Sequence, residues 1–162
     1  MGEGKPKRQI ARGLFDNPLA LLNLAQSRAD ELRIQLAYCS SDCWIAVFDF
    51  AMAINALRDW VKALRPELES QLNTLLADKA IAACRDIANA GKHIHLEYSP
   101  TAVELVRTGE VPLGTLNAYG NPEQRIWRLA VVLADDTSRY MEDIADDAVG
   151  LWLQFFERYG IE

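Results

Sequence analysis

The sequence, 162 residues long, lacks most features that mark specialised classes of protein. It contains only three cysteines, six prolines and nine glycines, which excludes a disulfide framework, a collagen-like chain and a disordered chain. No apolar run approaches the roughly 20 residues that cross a bilayer. The charged N-terminal positions are not followed by the apolar segment of a secretory signal. We therefore expect a cytoplasmic protein that does not enter a membrane.

Common catalytic motifs are also missing. The chain has no phosphate-binding glycine loop, no GxSxG and no HExxH, and we expect no cofactor. Cys39, Cys43 and Cys84 form no CxxC pair, so they are interpreted as reduced thiols. Cys39 and Cys43 flank a predicted turn, but a buried cysteine ordinarily behaves as a small hydrophobic residue.

The chain has fewer basic residues than acidic ones. Seventeen Lys and Arg against twenty-three Asp and Glu give a net charge of -6, which disfavours sequence-independent binding of nucleic acids. A local basic cluster does occur within residues 1–15, which we interpret as a flexible tail. Half of the residues are hydrophobic, so the chain, residues 1–162, is expected to form one domain with its own core.

Helical periodicity dominates what is present. Asp16 or Asn17 before Pro18 predicts the start of a helix, and Pro66 stops the second helix. The second helix is expected to be the most buried, because Asp49 is the only charged residue in its first half. Asp78 can cap a new helix, which leaves either one helix or two before Gly91. The predicted helical ranges are about 17–39, 43–64, 66–90 and 141–159.

An alternating pattern after Gly91 indicates strands. The predicted strands are 94–98, 103–107, 125–133 and 137–140, with a long loop at 109–124 of undetermined role. We therefore predict a mainly α (α+β) fold: a helical bundle of four to five helices with a small antiparallel β-sheet inserted before the C-terminal helix. The aromatic face of that last helix is expected to bury against the bundle or against a second copy of the chain.

The most distinctive candidate site is a polar stripe at the end of the 66–90 region. Arg85, Asn89, Lys92 and His93 fall on one side of a continued helix, and this set offers anion binding, orientation and proton transfer. Asp59 of the second helix is a candidate supporting partner for Arg85. In the alternative interpretation Arg85 pairs with its neighbour Asp86 or with Asp59, and the stripe is merely the end of a helix.

A metal site is a second possibility at the same place. His93, His95 and Glu97 alternate along a predicted strand, and two histidines with a carboxylate are reasonable zinc or iron ligands. Such a pattern arises readily by chance on the wet face of a strand, so no metal is predicted.

The run Ala83-Cys84-Arg85-Asp86-Ile87-Ala88-Asn89-Ala90-Gly91-Lys92-His93 carries a resemblance. With Ala56-Leu57-Arg58-Asp59-Trp60-Val61 before it and Leu151-Trp152-Leu153-Gln154-Phe155-Phe156 after it, the chain resembles a group of small bacterial and phage proteins that are distantly similar to the HEPN superfamily. The HEPN motif is an Arg, a polar residue and a later His. Arg85 and Asp86 match its opening, and seven residues, 86–92, separate Arg85 from His93, a longer spacing than in the motif.

This resemblance implies a homodimeric, metal-independent ribonuclease or an RNA-binding component of a defence or toxin-type system. Arg85 would stabilise charge on the reacting phosphate, His93 would transfer a proton, and Asn89 would orient either group. Lys92, with Arg128 or Arg139, would add local positive potential. The alternative function is a noncatalytic, dimeric protein-interaction module, whose aromatic C-terminal helix and sheet would bind a protein partner.

Overall fold

The computed structural model describes most of the helical part of the chain and the strands that precede its last helix. The described residues are 17–37, 43–90, 104–111, 126–133 and 137–162, with side chains described in all of these except 104–111 and 126–128. The predicted tail at 1–15 and the predicted strand at 94–98 lie outside these residues. Within the described ranges, no helix combines the length and the apolar character needed to cross a membrane.

Helix α1 spans Pro18–Ala37. Its N-cap is Asn17, whose Oδ1 accepts a hydrogen bond from the backbone N–H of Ala20 at 2.7 Å, and Pro18 occupies the first helical position. The predicted start is therefore confirmed. One face of α1 is buried at helical spacing, by Leu21, Leu22, Ala25, Ala29, Leu32 and Leu36.

Helix α2 spans Cys43–Leu64 and packs against α1 and α4. After it come a 3₁₀ turn at Pro66–Leu68, helix α3 at Glu69–Leu76 and helix α4 at Lys79–Ala90. The region that could have been one helix is thus two, because Asp78 caps α4: its Oδ1 accepts the N–H of Ala80 at 2.8 Å.

Three antiparallel strands form the sheet, in the order β1-β2-β3. Strand β1 spans Glu104–Val111, β2 spans Ile126–Val132 and β3 spans Ser138–Tyr140. The β1–β2 register shifts between Thr108 and Val111, which marks a bulge. All three predicted strands in this region are confirmed. Strand β1 continues to Val111, so residues 109–111 of the predicted loop are in a strand, and the rest of that loop lies outside the described residues.

Helix α5, Met141–Tyr159, follows β3 directly and packs against α1 and α4. It ends at Gly160, which has φ 58 in the left-handed region that glycine adopts without a Cβ penalty. Its Trp152 is completely buried in a core that also contains Phe50 and Leu57 of α2. A helical bundle with a small antiparallel sheet inserted before the C-terminal helix is therefore the observed fold.

Two polar contacts tie α5 to distant parts of the bundle. Arg33 of α1 forms an ion pair with Asp146, 113 residues away in sequence. Arg65, at the end of α2, donates from Nη1 to the backbone carbonyl oxygen of Tyr159 at 3.2 Å. Both contacts are on the surface or partly buried, so they orient α5 more than they stabilise it.

Candidate functional site

Helix α4 carries the candidate site and is the most enclosed of the helices around it. Alanine is frequent along it, which favours a helix and permits close packing against α2 and α5. Its buried residues lie on several sides of the helix: Ala80, Ile81, Ala82, Ala83, Cys84, Asp86, Ile87 and Ala88. Polar groups on its last turns are therefore held by a rigid element.

Arg85 and Asp86 form an ion pair within α4. The Nε of Arg85 lies 3.0 Å from Oδ1 of Asp86, and the two side chains are 30% and 5% exposed, respectively. Asp86 is the buried charged residue of the described core. Its carboxylate thus lies inside the bundle while the guanidinium of Arg85 reaches the surface. The pairing of Arg85 with Asp86, one of the two alternatives predicted, is confirmed.

Asn89 follows Arg85 by one turn and is also only partly buried. Side chains four positions apart on a helix are neighbours, with Cβ atoms about 6 Å apart. A guanidinium and an amide at this separation can bind two oxygens of one anion. The structure therefore places Arg85 and Asn89 side by side, whereas Lys92 and His93 lie outside the described residues.

Asp59 does not support Arg85. Its carboxylate is 67% exposed and accepts a hydrogen bond from Nε of Arg58 at 2.9 Å. This exposure places Asp59 on the solvent side of α2. The predicted link from Asp59 to Arg85 is therefore wrong.

Arg139, a candidate contributor of positive charge, contacts the first turns of α5. Its Nη2 lies 2.7 Å from Oδ2 of Asp147 and also donates to the backbone carbonyl oxygen of Asp143 at 3.4 Å. Arg139 is thus paired with the first turns of α5, and its contribution to positive potential at a dimer cleft stays a prediction. The side chain of Arg128 lies outside the described residues.

The aromatic face of α5 is inside the protein. Trp152 makes edge-on contacts with Phe155 and Phe156, with ring centroids 5.9 Å apart in each pair, and all three residues are buried. This arrangement fills the core of the bundle. The expectation that an aromatic C-terminal helix presents a partner-binding surface is therefore wrong.

Cys84 is unsuited to nucleophilic chemistry. It lies completely buried in α4, and burial raises the pKa of its thiol to about 12 because the thiolate would lose its hydration. Cys43 is likewise buried and forms no disulfide bond with another described cysteine, whereas Cys39 lies outside the described residues. Both described cysteines are thus structural, as predicted from their spacing.

A group of exposed apolar residues was not anticipated. Trp44 and Ile45, in the first turn of α2, are exposed, although the second helix was expected to be the most buried one. Ile34, near the end of α1, is also exposed. The sequence contained a sign of this exposure. Apolar residues occupy all sides of the first half of α2, and this is more than one core-facing stripe of a helix requires.

Metal ligands do not cluster in the described part of the chain, where no group of three or more His, Cys, Asp or Glu residues could hold an ion. The alternating His93, His95 and Glu97 lie outside the described residues. Comparison with known proteins found no matching family model, no matching curated protein and no matching solved structure.

Proposed function

We propose that this protein is an RNA-directed, HEPN-like homodimer that cleaves RNA without a metal ion. Arg85 and Asn89 bind the phosphate at the reacting position, and His93 is the general acid or base that acts on the ribose 2'-hydroxyl. Lys92 adds positive charge beside them. These roles of Arg85, Asn89 and His93 are the ones that the sequence resemblance implies, and the positions of Arg85 and Asn89 on α4 support them.

The observation that carries the proposal is the position of Arg85 and Asn89, which lie one turn apart on α4 and are both only partly buried. A buried carboxylate holds a guanidinium that remains 30% exposed, so its orientation is constrained while its outer edge reaches solvent. The hydrogen bond to Asp86 uses Nε and does not occupy the two Nη groups, which are the donors that suit two phosphate oxygens. Asn89, one turn away, supplies an amide on the same side of α4.

Cleavage of a mixed RNA pool in EDTA tests this function. His93→Ala should lose about 100-fold or more in rate, as expected for loss of a general acid or base. Arg85→Ala should lose about 100-fold because charge on the phosphate is no longer stabilised. Arg158→Ala, which removes an exposed positive charge from α5, is the matched control and should cleave at the wild-type rate. Wild-type protein that neither binds nor cleaves RNA would contradict the proposal.

A second candidate is a noncatalytic protein-interaction module. The observation that favours it is the exposure of Trp44, Ile45 and Ile34, because exposed apolar patches commonly mark interaction sites. On this view another chain covers the start of α2. Ile45→Ser should abolish association with that chain, and Leu64→Ser, a change at an exposed apolar position at the other end of α2, should not.

A further inference from the structure

The first three turns of α2 expose a face that we call the outer α2 face: Trp44, Ile45, Phe48, Asp49 and Met52. Trp44 is 41% exposed and Ile45 is 61% exposed, whereas the other three are partly buried. Positions 45, 48 and 52 are spaced by three and four residues, so they lie in line along the helix. This face is distinct from Arg85 and Asn89, which are on α4.

Ile34 lies at the same end of the molecule. It is 50% exposed, one turn before the end of α1, and only residues 38–42 separate α1 from α2. A connection of this length joins antiparallel neighbouring helices. Ile34 is therefore a further exposed apolar residue at the end of the α1–α2 pair where the outer α2 face begins.

The size of this surface argues for a small partner. Trp44, Ile45 and Ile34 are 41%, 61% and 50% exposed, so these three side chains offer only a small apolar surface. A stable dimer of globular proteins buries about 800 Å² from each partner. A single amphipathic helix that packs along a row of apolar residues at helical spacing covers less surface than a dimer of globular proteins does.

Charge indicates the chemistry of that helix. Asp49 follows Ile45 by one turn, and among the described residues none forms a hydrogen bond or an ion pair with it. A partner that covers the apolar neighbours of Asp49 also removes water from its carboxylate, which is costly unless the partner supplies a cation. A second copy of the chain that docked through this same face would bring another Asp49 and no cation, because the outer α2 face contains no Lys or Arg.

We infer that the outer α2 face is the docking site of a cationic amphipathic helix from another protein, whose apolar residues cover Trp44 and Ile45 and whose Lys or Arg pairs with Asp49. This inference rests on the second candidate function, and it is independent of RNA cleavage at α4. It names the chemistry of the partner, which the exposed apolar residues alone do not specify.

The experiment uses the full chain and two synthetic peptides. One peptide is an amphipathic helix with leucine on one face and lysine on the other, and its counterpart carries glutamate in place of every lysine. Binding is measured by isothermal titration calorimetry. Wild-type protein should bind the lysine peptide at least about tenfold more tightly than the glutamate peptide.

Matched variants locate the binding site. Ile45→Ser should weaken binding of the lysine peptide about tenfold, and Asp49→Asn about fivefold, because an apolar contact and an ion pair are lost. Leu64→Ser and Glu157→Gln make the same chemical changes at exposed positions elsewhere and should leave the affinity within about twofold of wild type. Circular dichroism confirms that each variant is folded.

Two results would overturn the inference in different ways. If Glu157→Gln weakens binding as much as Asp49→Asn, the peptide responds only to net charge and the outer α2 face is not its site. If sedimentation equilibrium instead shows a dimer that Ile45→Ser dissociates, the second candidate function stands with another copy as the occupant, and the cationic helix is wrong. Wild-type protein that neither binds the peptide nor self-associates contradicts both.

Discussion

Arg85 and Asp86, neighbours in sequence, lie in different environments and still form one ion pair, with Nε 3.0 Å from Oδ1. Successive residues on a helix point about 100° apart, so Asp86 faces the interior while Arg85 lies at its margin. The long arginine side chain spans this difference. The ion pair with Arg85 therefore offsets part of the free-energy cost of burying the Asp86 carboxylate.

Loss of Asp86 should destabilise the protein much more than loss of Asp59. Asp86→Ala removes a buried carboxylate that pairs with Arg85 and leaves a cavity, and we expect the free energy of unfolding to fall by about 2 to 3 kcal/mol. Asp59→Ala breaks an exposed pair with Arg58 and should change it by less than about 0.5 kcal/mol. Urea denaturation measures both. Equal effects of the two substitutions would show that Asp86 is not a structural group.

The indole of Trp152 should stabilise the protein through its volume and not through its N–H. Its Nε1 is buried and has no hydrogen-bond partner among the described residues, although the ring packs on Phe155 and Phe156. We expect Trp152→Ala to cost about 4 kcal/mol and Trp152→Phe about 1 to 2 kcal/mol, since the latter keeps an aromatic ring and loses no hydrogen bond. Urea denaturation of both variants checks this. A Phe variant as unstable as the Ala variant would mean that the N–H is bonded.

Cys84 should make the protein less stable at high pH. Its pKa is about 12 in the folded protein against an ordinary 9.0, so the unfolded chain loses the thiol proton first. The stabilisation is therefore complete below about pH 9 and is lost as the pH rises toward 12, at up to about 1.4 kcal/mol per pH unit. The Cys84→Ala variant should lack this pH-dependent contribution to the free energy of unfolding. The measurement is the difference between the unfolding free energies of wild type and variant from pH 8 to the highest pH at which unfolding is reversible.

The same burial should protect Cys84 from thiol reagents. Folded protein at pH 8 should react only after urea unfolds it, because the reactive thiolate is absent from the core. A Cys39→Ala, Cys43→Ala background isolates the Cys84 signal. Rapid labelling of the folded background variant would contradict the buried position of this thiol.

The N-cap of α4 should contribute measurably to the stability of the protein. Asp78→Ala removes the carboxylate that accepts the N–H of Ala80, and we expect a loss of about 1 kcal/mol in the free energy of unfolding. Asp78→Asn keeps an acceptor and should restore most of it. Thermal and urea denaturation are suitable measurements. If the Asn variant were as unstable as the Ala variant, the charge rather than the hydrogen bond would be responsible.

Local chemistry explains why the elements were predictable from the sequence alone. Asn17 and Asp78 cap helices through their own side chains, and Pro66 ends α2 because it lacks an N–H donor. Each of these effects acts within a few residues of the chain. The sequence thus determined the start of α1, the end of α2 and the position of the sheet before α5, whereas it left open whether residues 66–90 form one helix or two.

Tertiary structure decided which polar and apolar groups are covered. Arg85 had two possible acidic partners, and only packing placed Asp59 on the outside of α2 and Asp86 in the core. The aromatic residues of α5 could have faced a partner, but they fill the bundle, whereas Trp44 and Ile45 are exposed. A periodic pattern shows which residues share a face of a helix, but whether another element covers that face depends on contacts between segments far apart in the sequence.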